Sequence, residues 1–413
     1  MMVLVGAMPP LFHVGLLLIL SYLGGQVARV FKAPKVMGYL VMGMLLSPSV
    51  LGVLHERQVK EEFVVITYLA LFIIAFSIGG SLEISKLKRL GKHILWITFT
   101  QAFGAFFLTT TALSAYFLFF HCRGDPWGCF WTVSFPPALV IGAICAATAP
   151  AATLAIVHEY RAKGPLTTTL LGVVALDDGL TIFLFAFAMA MAQSFIHLEA
   201  LTFQSFFLAP ALSLLVSLCI GGLMGIGIRA LCRHVRTREA LLGVMLGSIF
   251  LTGGLAETLH AHALLTNMMM GFVVVNYVRH HDDLFMVVEG IEEPLFGMFF
   301  ALAGAHLDLT RFQSAGMLAL VITLGRFAGK LMGSRVGARM SGAPEAVRKY
   351  LGPALLPTAG VTVGLVLEAG GAFGRSRLSE IMVNGVLGSV ILNECLTPFL
   401  VRYSLKKSGE ASA

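Results

Sequence analysis

The chain has 413 residues, of which 57% are hydrophobic and only 12% charged, and its mean hydropathy is +0.86. A soluble domain carries far more charge, whereas a transmembrane helix needs about 20 mostly apolar residues. Apolar runs of that kind recur from end to end, so the composition predicts a polytopic membrane protein without room for an appended soluble domain.

The first apolar run, from Leu11, has no basic flank before it and no small-residue cleavage site after it. A cleaved signal peptide is therefore not expected. Thirteen membrane spans are predicted along the chain, at residues 10–31, 36–53, 62–81, 93–120, 134–158, 165–193, 204–230, 238–257, 261–279, 288–306, 315–340, 347–370 and 380–404.

The basic residues are divided unevenly between the two sets of span ends. Of the 29 Lys and Arg residues, most lie at one set of ends, six lie at the other, and Arg326 and Lys330 lie within a span. Cytoplasmic ends carry the basic excess, which predicts an outside N-terminus and a cytoplasmic C-terminus in the cell (inner) membrane. Membrane orientation then accounts for the net charge of +7, and no nucleic-acid partner is expected.

Cys122 and Cys129 lie in the predicted outer loop between the fourth and fifth spans. The oxidising side of a membrane permits a disulfide there, and two free thiols are equally compatible with the sequence. No two of the six cysteines have CxxC spacing, so they do not indicate a metal cluster.

A weak internal repeat relates the third span to the tenth. Residues 71–84 resemble residues 295–309, with Gly80 aligned with Gly304 and, after a slip of one residue, Gly104 with Gly329. Because the offset is an odd number of spans, the two copies cross the membrane in opposite directions, as in many secondary transporters. We predict repeats formed by spans 1–6 and 8–13, with span 7 as a linker.

The fifth and twelfth spans correspond in this repeat, and proline interrupts both. Pro150 and Thr153 lie in the first, and Pro357 and Gly360 in the second. Proline removes a backbone donor, and irregular backbone at membrane depth is tolerated only where it is buried in protein or lines a cavity. Simple kinks are the alternative, but corresponding breaks beside Thr and small residues favour discontinuous helices that form a binding site.

Asp177 and Asp178 are adjacent in the otherwise uncharged sixth span. One charge at the bilayer centre costs at least about 2.5–3.5 kcal/mol, so two neighbours are hard to explain by packing. A pair neutralised by a structural partner is the alternative. Burial and mutual repulsion both favour protonation, so such a carboxylate can bind either H⁺ or a hard cation.

The eleventh span carries Arg326 and Lys330 four residues apart, on one helix face. Either aspartate of the sixth span is a candidate ion-pair partner for Lys330, and such a pair can open, release a proton and re-form. The alternative is that Lys330 snorkels or binds helix-end carbonyls. Arg326 stays charged under physiological conditions, which favours a structural role.

Two further groups of polar residues are ambiguous. Asn393 and Glu394 occupy the place in span 13 that the acid pair occupies in span 6, as an accessory polar site or, as we favour, a core stabiliser. Three acids stand near the predicted inner start of span 10, and we interpret them as a solvated helix end rather than an acidic funnel: Glu289, Glu292 and Glu293.

These motifs, in this order, resemble the monovalent cation:proton antiporter superfamily, closest to the prokaryotic thirteen-helix sodium/proton antiporters with two aspartates. The resemblance spans essentially the whole chain. The matching stretches are residues 31–52, 70–84, 148–153, 175–179, 325–333, 355–365 and 393–410.

The resemblance implies a role for each matched residue. It implies that Asp178 is the essential ion-binding aspartate, that Asp177 joins it at Na⁺ and pairs with Lys330, and that Thr148 supplies oxygen at the broken helix. Two-aspartate members are generally electrogenic. The chain departs from the family at Ser47, where Gly is usual. Potassium-linked relatives carry Pro-Arg-Gly-Glu where this chain has PTAGV, and they add a nucleotide-binding domain, which weighs against gated potassium efflux.

We therefore expect an all-α polytopic membrane protein with 13 transmembrane helices, in two inverted six-helix repeats with two crossing discontinuous helices. It would be a homodimeric Na⁺/H⁺ antiporter of elevator type in a lipid membrane, acting in pH homeostasis. It would not be an enzyme and would have no cofactor. The transported ions would be H⁺ and Na⁺ or Li⁺, with K⁺ as the alternative.

The expected parts of such an antiporter follow the spans. Residues 10–81 and 238–306 would form the dimerisation scaffold, residues 93–193 and 315–404 the ion-transporting core, and residues 204–230 the linker. Two rivals fit less well. A cation channel needs a continuous pore, and an intramembrane aspartyl protease needs its two aspartates on separate helices.

Overall fold

The computed structural model describes residues 9–31, 35–88, 91–122, 126–149, 153, 156–157, 160–196, 208–232, 235, 237–279, 281–306, 312–358, 360–373 and 377–411. No strand occurs within these ranges. The helices, numbered in chain order, are α1 (Pro10–Val30), α2 (Lys35–Leu46), α3 (Val64–Ser81), α4 (Ile84–Leu87), α5 (Lys92–His121), α6 (Pro126–Cys129), α7 (Phe135–Ile144), α8 (Pro165–Ile196), α9 (Ala209–Leu231), α10 (Arg238–Thr258), α11 (Ala263–Tyr277), α12 (His281–Ala305), α13 (Phe312–Met340), α14 (Glu345–Ala354), α15 (Gly360–Ala372) and α16 (Arg377–Lys407).

Long apolar helices dominate the part of the chain that the structure describes. Nine helical segments within it are long and apolar enough to cross a membrane, and α2, α11 and α15 are shorter apolar helices. The expectation of an all-helical, multi-pass membrane protein is confirmed. The count of thirteen spans and their arrangement as repeats stay predictions.

Two boundaries of predicted uninterrupted spans differ from the structure by seven residues. The second span was expected to reach residue 53, but α2 ends at Leu46, because Ser47 precedes Pro48 and the residue before a proline is disfavoured in the α conformation. The tenth span was expected to start at residue 288, but α12 starts at His281. Asp282 and Asp283 in its first turn favour this earlier start through the helix dipole.

The chain divides into two compact units. Unit 1 comprises Met1–Ser81 and Leu215–Ala315, and unit 2 comprises Leu82–Leu214 and Gly316–Ala413. The division falls inside α9, so most of that helix belongs to unit 1.

In unit 1, glycines allow two helix pairs to pack backbone against backbone. Gly304 of α12 faces the Leu40 carbonyl of α2, and Gly79 of α3 lies against α11, where an added Cβ would stand 2.8 Å from the Phe272 nitrogen. Small residues let membrane helices approach this closely. Leu17, Leu54 and Phe63 contribute to an adjoining apolar cluster in which each is almost fully buried.

The acids of α12 also lie in unit 1, and their place in the helix differs from the expectation. Because α12 begins early, Glu289, Glu292 and Glu293 lie inside the helix rather than at its start. The Ser77 hydroxyl donates to Glu292 Oε1 at 2.5 Å, and Lys35 forms an ion pair with Glu293. Two of the three acids therefore have individual partners on neighbouring helices.

Unit 2 holds the remaining helices and the cysteine pair. Cys122 and Cys129 form a disulfide between the end of α5 and the end of α6. Of the two alternatives that the sequence left open, the structure contains the bonded form. An apolar cluster that includes Ile97, Leu170 and Leu351 packs α5, α8 and α14 together near the end of α16.

Candidate functional site

Two interrupted helices meet within unit 2. Helix α7 ends at Ile144, and α14 ends at Ala354 before the chain resumes as α15 at Gly360. The Ala149 amide donates to the Pro357 carbonyl at 2.9 Å, so the two non-helical stretches are bonded to each other. Pro357 lies within the second break, and Gly360 is the first residue of α15. Pro150 lies outside the described residues.

The helix ends at these two breaks leave carbonyl groups without intrahelical donors, and Arg326 of α13 binds them. Its Nε donates to the Cys145 carbonyl at 3.2 Å and its Nη2 to the Ala147 carbonyl at 2.6 Å. From the other chain segment, Leu356 O accepts from Nη1 at 2.5 Å and Pro357 O from Nη2 at 3.2 Å. The guanidinium thus joins both breaks, where a cation also complements the negative ends of the helix dipoles.

Lys330, one turn further along α13, forms a fully buried ion pair with Asp177. Its Nζ lies 2.9 Å from Asp177 Oδ2, and both side chains have 0% exposure. The same ammonium donates to the Thr148 hydroxyl at 2.6 Å and to the Ala146 carbonyl at 2.5 Å. All three donors of the ammonium are used, which offsets the desolvation that a buried ion pair otherwise suffers.

The Asp177 carboxylate is held by two further side chains. Thr148 donates its hydroxyl to Oδ2, and Gln101 of α5 donates its Nε2 to Oδ1 at 2.5 Å. Gln101 was not among the residues predicted for the site. A buried amide in the fourth span was the available signal, but nothing in the sequence shows which face of α5 meets α8.

Asp178 is in a different environment from its neighbour. It is 5% exposed, and its Oδ1 has no hydrogen-bond partner among the described residues. Its charge interacts with that of Asp177, which repels the ionised form, and with that of Lys330, which attracts it. Of the two aspartates, Asp178 is therefore the one with a buried oxygen, Oδ1, that accepts no hydrogen bond from a described residue.

A row of glycines brings α13 close to α5 and so positions Lys330. Gly325, Gly329, Gly333 and Gly337 recur every four residues on one face of α13. A Cβ added at Gly329 would lie 2.5 Å from Ala105 Cα, and one at Gly333 would lie 2.6 Å from Gln101 Cα. The repeated spacing is the small-residue pattern of membrane helix pairs. The sequence contains this signal, although the predicted site did not include it.

The other predicted residues lie apart from this hydrogen-bonded group. Thr153 is buried and donates to the Ala149 carbonyl at 3.0 Å. Asn393 and Glu394 of α16 are 0% and 2% exposed, and Glu394 lies within electrostatic range of Arg326. Neither the side-chain amide of Asn393 nor Glu394 Oε1 has a hydrogen-bond partner among the described residues.

Comparison with known proteins gives relatives over almost the whole chain. A "Na(+)/H(+) antiporter" from Enterococcus hirae is 23% identical over 404 residues, which cover 95% of this chain and 97% of that protein. The "K(+)/H(+) antiporter subunit KhtU" from Bacillus subtilis is also 23% identical, over 406 residues, covering 95% of this chain and 90% of KhtU.

A solved structure shares the fold. The sodium proton antiporter MjNhaP1 from Methanocaldococcus jannaschii, at pH 8, superposes with a TM-score of 0.76 at 19% identity, covering 97% of this chain and 99% of that one. The sequence profile of the family described as "Sodium/hydrogen exchanger, transmembrane" matches residues 15–402. The chain therefore belongs to the sodium/hydrogen exchanger family, within the monovalent cation:proton antiporter superfamily.

Proposed function

We propose that this protein is a Na⁺/H⁺ antiporter that exchanges the cation for protons at the aspartate pair of α8. One observation carries the proposal. A fully buried Asp177–Lys330 ion pair stands beside Asp178, whose Oδ1 has no described partner, where two interrupted helices meet. An ionisable residue inside a membrane protein is a functional site by default, because its burial is costly.

In the proposed exchange, Asp178 binds either a proton or the cation. A hard cation prefers oxygen ligands, and Asp178, Asp177 and the Thr148 hydroxyl offer them. When the cation arrives, Asp177 leaves Lys330 and turns its oxygen to the cation. When the cation leaves, protons and Lys330 neutralise the acids again. Because both ions use the same carboxylates, the uphill movement of one is coupled to the downhill movement of the other.

We further propose that the exchange is electrogenic and of elevator type, in a homodimer. When a monovalent cation binds, Asp178 can release one proton, and Lys330 can release a second when its ion pair with Asp177 opens. All the residues assigned to the site belong to unit 2, which supports a moving core formed by residues 93–193 and 315–404. Residues 10–81 and 238–306 would form the dimer scaffold and residues 204–230 the linker.

The packing within each unit supports the inverted repeat. In unit 2, Gly104 and Gly329, which the repeat aligns, lie against each other: a Cβ at Gly104 would be 2.6 Å from the Gly329 carbonyl. Equivalent residues in mutual contact are expected where a two-fold axis passes between the repeats. In unit 1, α2 packs on α12 and α3 packs on α11. The repeat aligns α2 with α11 and α3 with α12. The contact between α2 and α12 therefore corresponds to the contact between α11 and α3.

Potassium is the alternative substrate. The name printed for KhtU gives K⁺, and a Bacillus cereus relative that is 21% identical is named a "Na(+)/H(+)-K(+) antiporter". Selectivity depends on the radius that the oxygen ligands enclose. Exchange measured separately with Na⁺, Li⁺ and K⁺ at several pH values distinguishes the candidates, and faster exchange with K⁺ at equal concentration would replace Na⁺ in the proposal.

The main test is proton flux in liposomes, driven by a sodium gradient. We expect Asp178→Asn to abolish the flux, because the amide can neither ionise nor release a proton. Glu345→Gln is the matched control, since Glu345 is an exposed acid at the start of α14. Wild-type rates in the Asp178→Asn variant would refute the assignment. A rate that is indifferent to an imposed membrane potential would refute electrogenicity alone.

A further inference from the structure

The C-terminal end of the described chain contacts the helix that carries the aspartate pair. The Glu410 carboxylate accepts from the Leu166 amide through Oε1 and from the Thr167 amide through Oε2, each at 2.7 Å. Thr167 adds its hydroxyl, which donates to Glu410 Oε2 at 2.8 Å. These contacts lie within unit 2 and join residues more than 240 positions apart in the sequence.

This carboxylate completes the hydrogen bonding at the start of α8. The first residue of the helix, Pro165, has no amide hydrogen, and the Thr168 amide already donates to the Gly164 carbonyl at 3.0 Å. The Leu166 and Thr167 amides are the remaining donors of the first turn, and Glu410 binds both. A negative charge at this end also complements the helix dipole. The cap of α8 is therefore supplied by a distant part of the chain.

The chain turns at the end of α16 in a way that brings Glu410 to the start of α8. Gly409 has φ +74°, in the left-handed region that favours glycine. Its amide donates to the Lys406 carbonyl at 3.2 Å, and the Glu410 amide donates to the Leu405 carbonyl at 3.2 Å. These two bonds form a Schellman motif, which ends a helix and turns the chain back.

Further contacts hold the turn against the residues that precede α8. The Lys163 amide donates to the Glu410 carbonyl at 3.1 Å. Arg402 and Lys406 lie over the Tyr160 ring, 5.3 and 5.7 Å from its centroid. A Cβ at Gly164 would come within 2.6 Å of Glu410 Oε1, so the glycine leaves space for the carboxylate.

We propose that Glu410 is a positioning residue for ion exchange: it fixes the start of α8, and through that helix the placement of Asp177 and Asp178. The proposal rests on the proposed function. Asp177 follows Pro165 by 12 residues, roughly 18 Å along a rigid helix. Displacement of the capped end therefore shifts the aspartates against Thr148 and Lys330, and we expect this to weaken cation binding more than it slows turnover.

The test uses the full-length protein with Glu410→Gln, which keeps the size of the side chain but removes its charge. We expect hydrogen exchange of the α8 N-terminal amides to accelerate about five- to tenfold, the effect of losing a helix cap. We expect the apparent KM for Na⁺ to rise severalfold with kcat largely kept. Glu345→Gln should change neither quantity. Gly409→Ala, which retains the carboxylate but disfavours the turn, should reproduce both effects.

A double-mutant cycle isolates the contact itself. Thr167→Val removes one donor to Glu410, so its effect should be smaller in the Glu410→Gln background than in the wild type. Thr168 is the matched control, since its hydroxyl donates to the Gly164 carbonyl instead. Effects of Thr168→Val should add to those of Glu410→Gln.

Two results would overturn the inference: unchanged hydrogen exchange in Glu410→Gln, or faster exchange with an unaltered apparent KM. Failure of the proposed function is recognised separately. In that case the wild type itself shows no proton flux with any alkali cation, and the hydrogen-exchange measurement, which requires no transport, still decides whether Glu410 caps α8.

Discussion

Asp177 and Asp178 are chemically identical neighbours with different partners. Asp177 accepts from Thr148, Gln101 and Lys330, whereas Asp178 Oδ1 has no described hydrogen-bond partner. Adjacent residues on a helix point about 100° apart, so two acids in sequence can face different surroundings. The difference supports the division of roles that the family resemblance implies, with Asp177 in an ion pair and Asp178 as ion ligand.

The ion pair leads to a prediction about stability. Lys330→Met leaves Asp177 buried without its charged partner, and we expect it to destabilise the protein by about 3–5 kcal/mol. Adding Asp177→Asn should recover much of that loss, because no unpaired charge then remains. Thermal unfolding in detergent, measured for the two single variants and the double variant, gives the coupling. Strictly additive losses would show that the two side chains do not stabilise each other.

At the scale of elements, close contact between α5 and α13 brings Lys330 and Gln101 to different oxygens of the Asp177 carboxylate. The glycines of α13 permit this contact, and Arg326 on the same helix binds the two interrupted segments. Helix α13 thus carries both basic side chains of the site, Arg326 and Lys330. Its distance from α5 decides whether these side chains reach the groups that they bind.

Two glycines of α13 provide a matched pair for testing that contact. At Gly329 an added Cβ would meet the backbone of α5, whereas at Gly316 nothing lies within 4 Å. We expect Gly329→Ala to lower the unfolding temperature and to reduce exchange strongly, because backbone atoms cannot move aside cheaply. Gly316→Ala should be neutral or stabilising by about 0.5–1 kcal/mol. Equal behaviour of the two variants would contradict the packing explanation.

At the scale of the whole molecule, the distribution of charge predicts orientation. The disulfide between Cys122 and Cys129 lies at the span ends that the basic residues assign to the outside, which is the side where disulfides persist. Two independent features therefore support the same orientation, with the C-terminus and Glu410 in the cytoplasm.

Reporter fusions at the C-terminus test this orientation. A fluorescent protein fused after Ala413 should fluoresce in cells, because it folds in the cytoplasm. Alkaline phosphatase at the same position should be inactive, because it requires disulfides that form only outside. An active phosphatase fusion would reverse the topology, and with it the side of the membrane on which Glu410 lies.

Much of the fold and part of the site could be predicted from local features of the sequence. Apolar length predicted the long membrane helices that the structure describes, and the cost of burying charge drew attention to Asp177, Asp178, Arg326 and Lys330. Proline marked the break at Pro357. Each of these signals lies within one segment and depends on properties of single residues. The sequence alone is therefore sufficient to detect them.

Other features depend on which helix faces meet, and only the tertiary structure decided them. The sequence offered Lys330 either aspartate as partner, and the fold pairs it with Asp177, because α13 meets α8 beside Thr148. The contact of Gln101 with Asp177 likewise depends on which face of α5 meets α8. Glu410 caps a helix that begins 245 residues earlier, a pairing that no spacing along the chain could reveal. Composition and the length of the apolar runs determined that this protein crosses the membrane with buried charges, whereas packing determined which partner each charge meets.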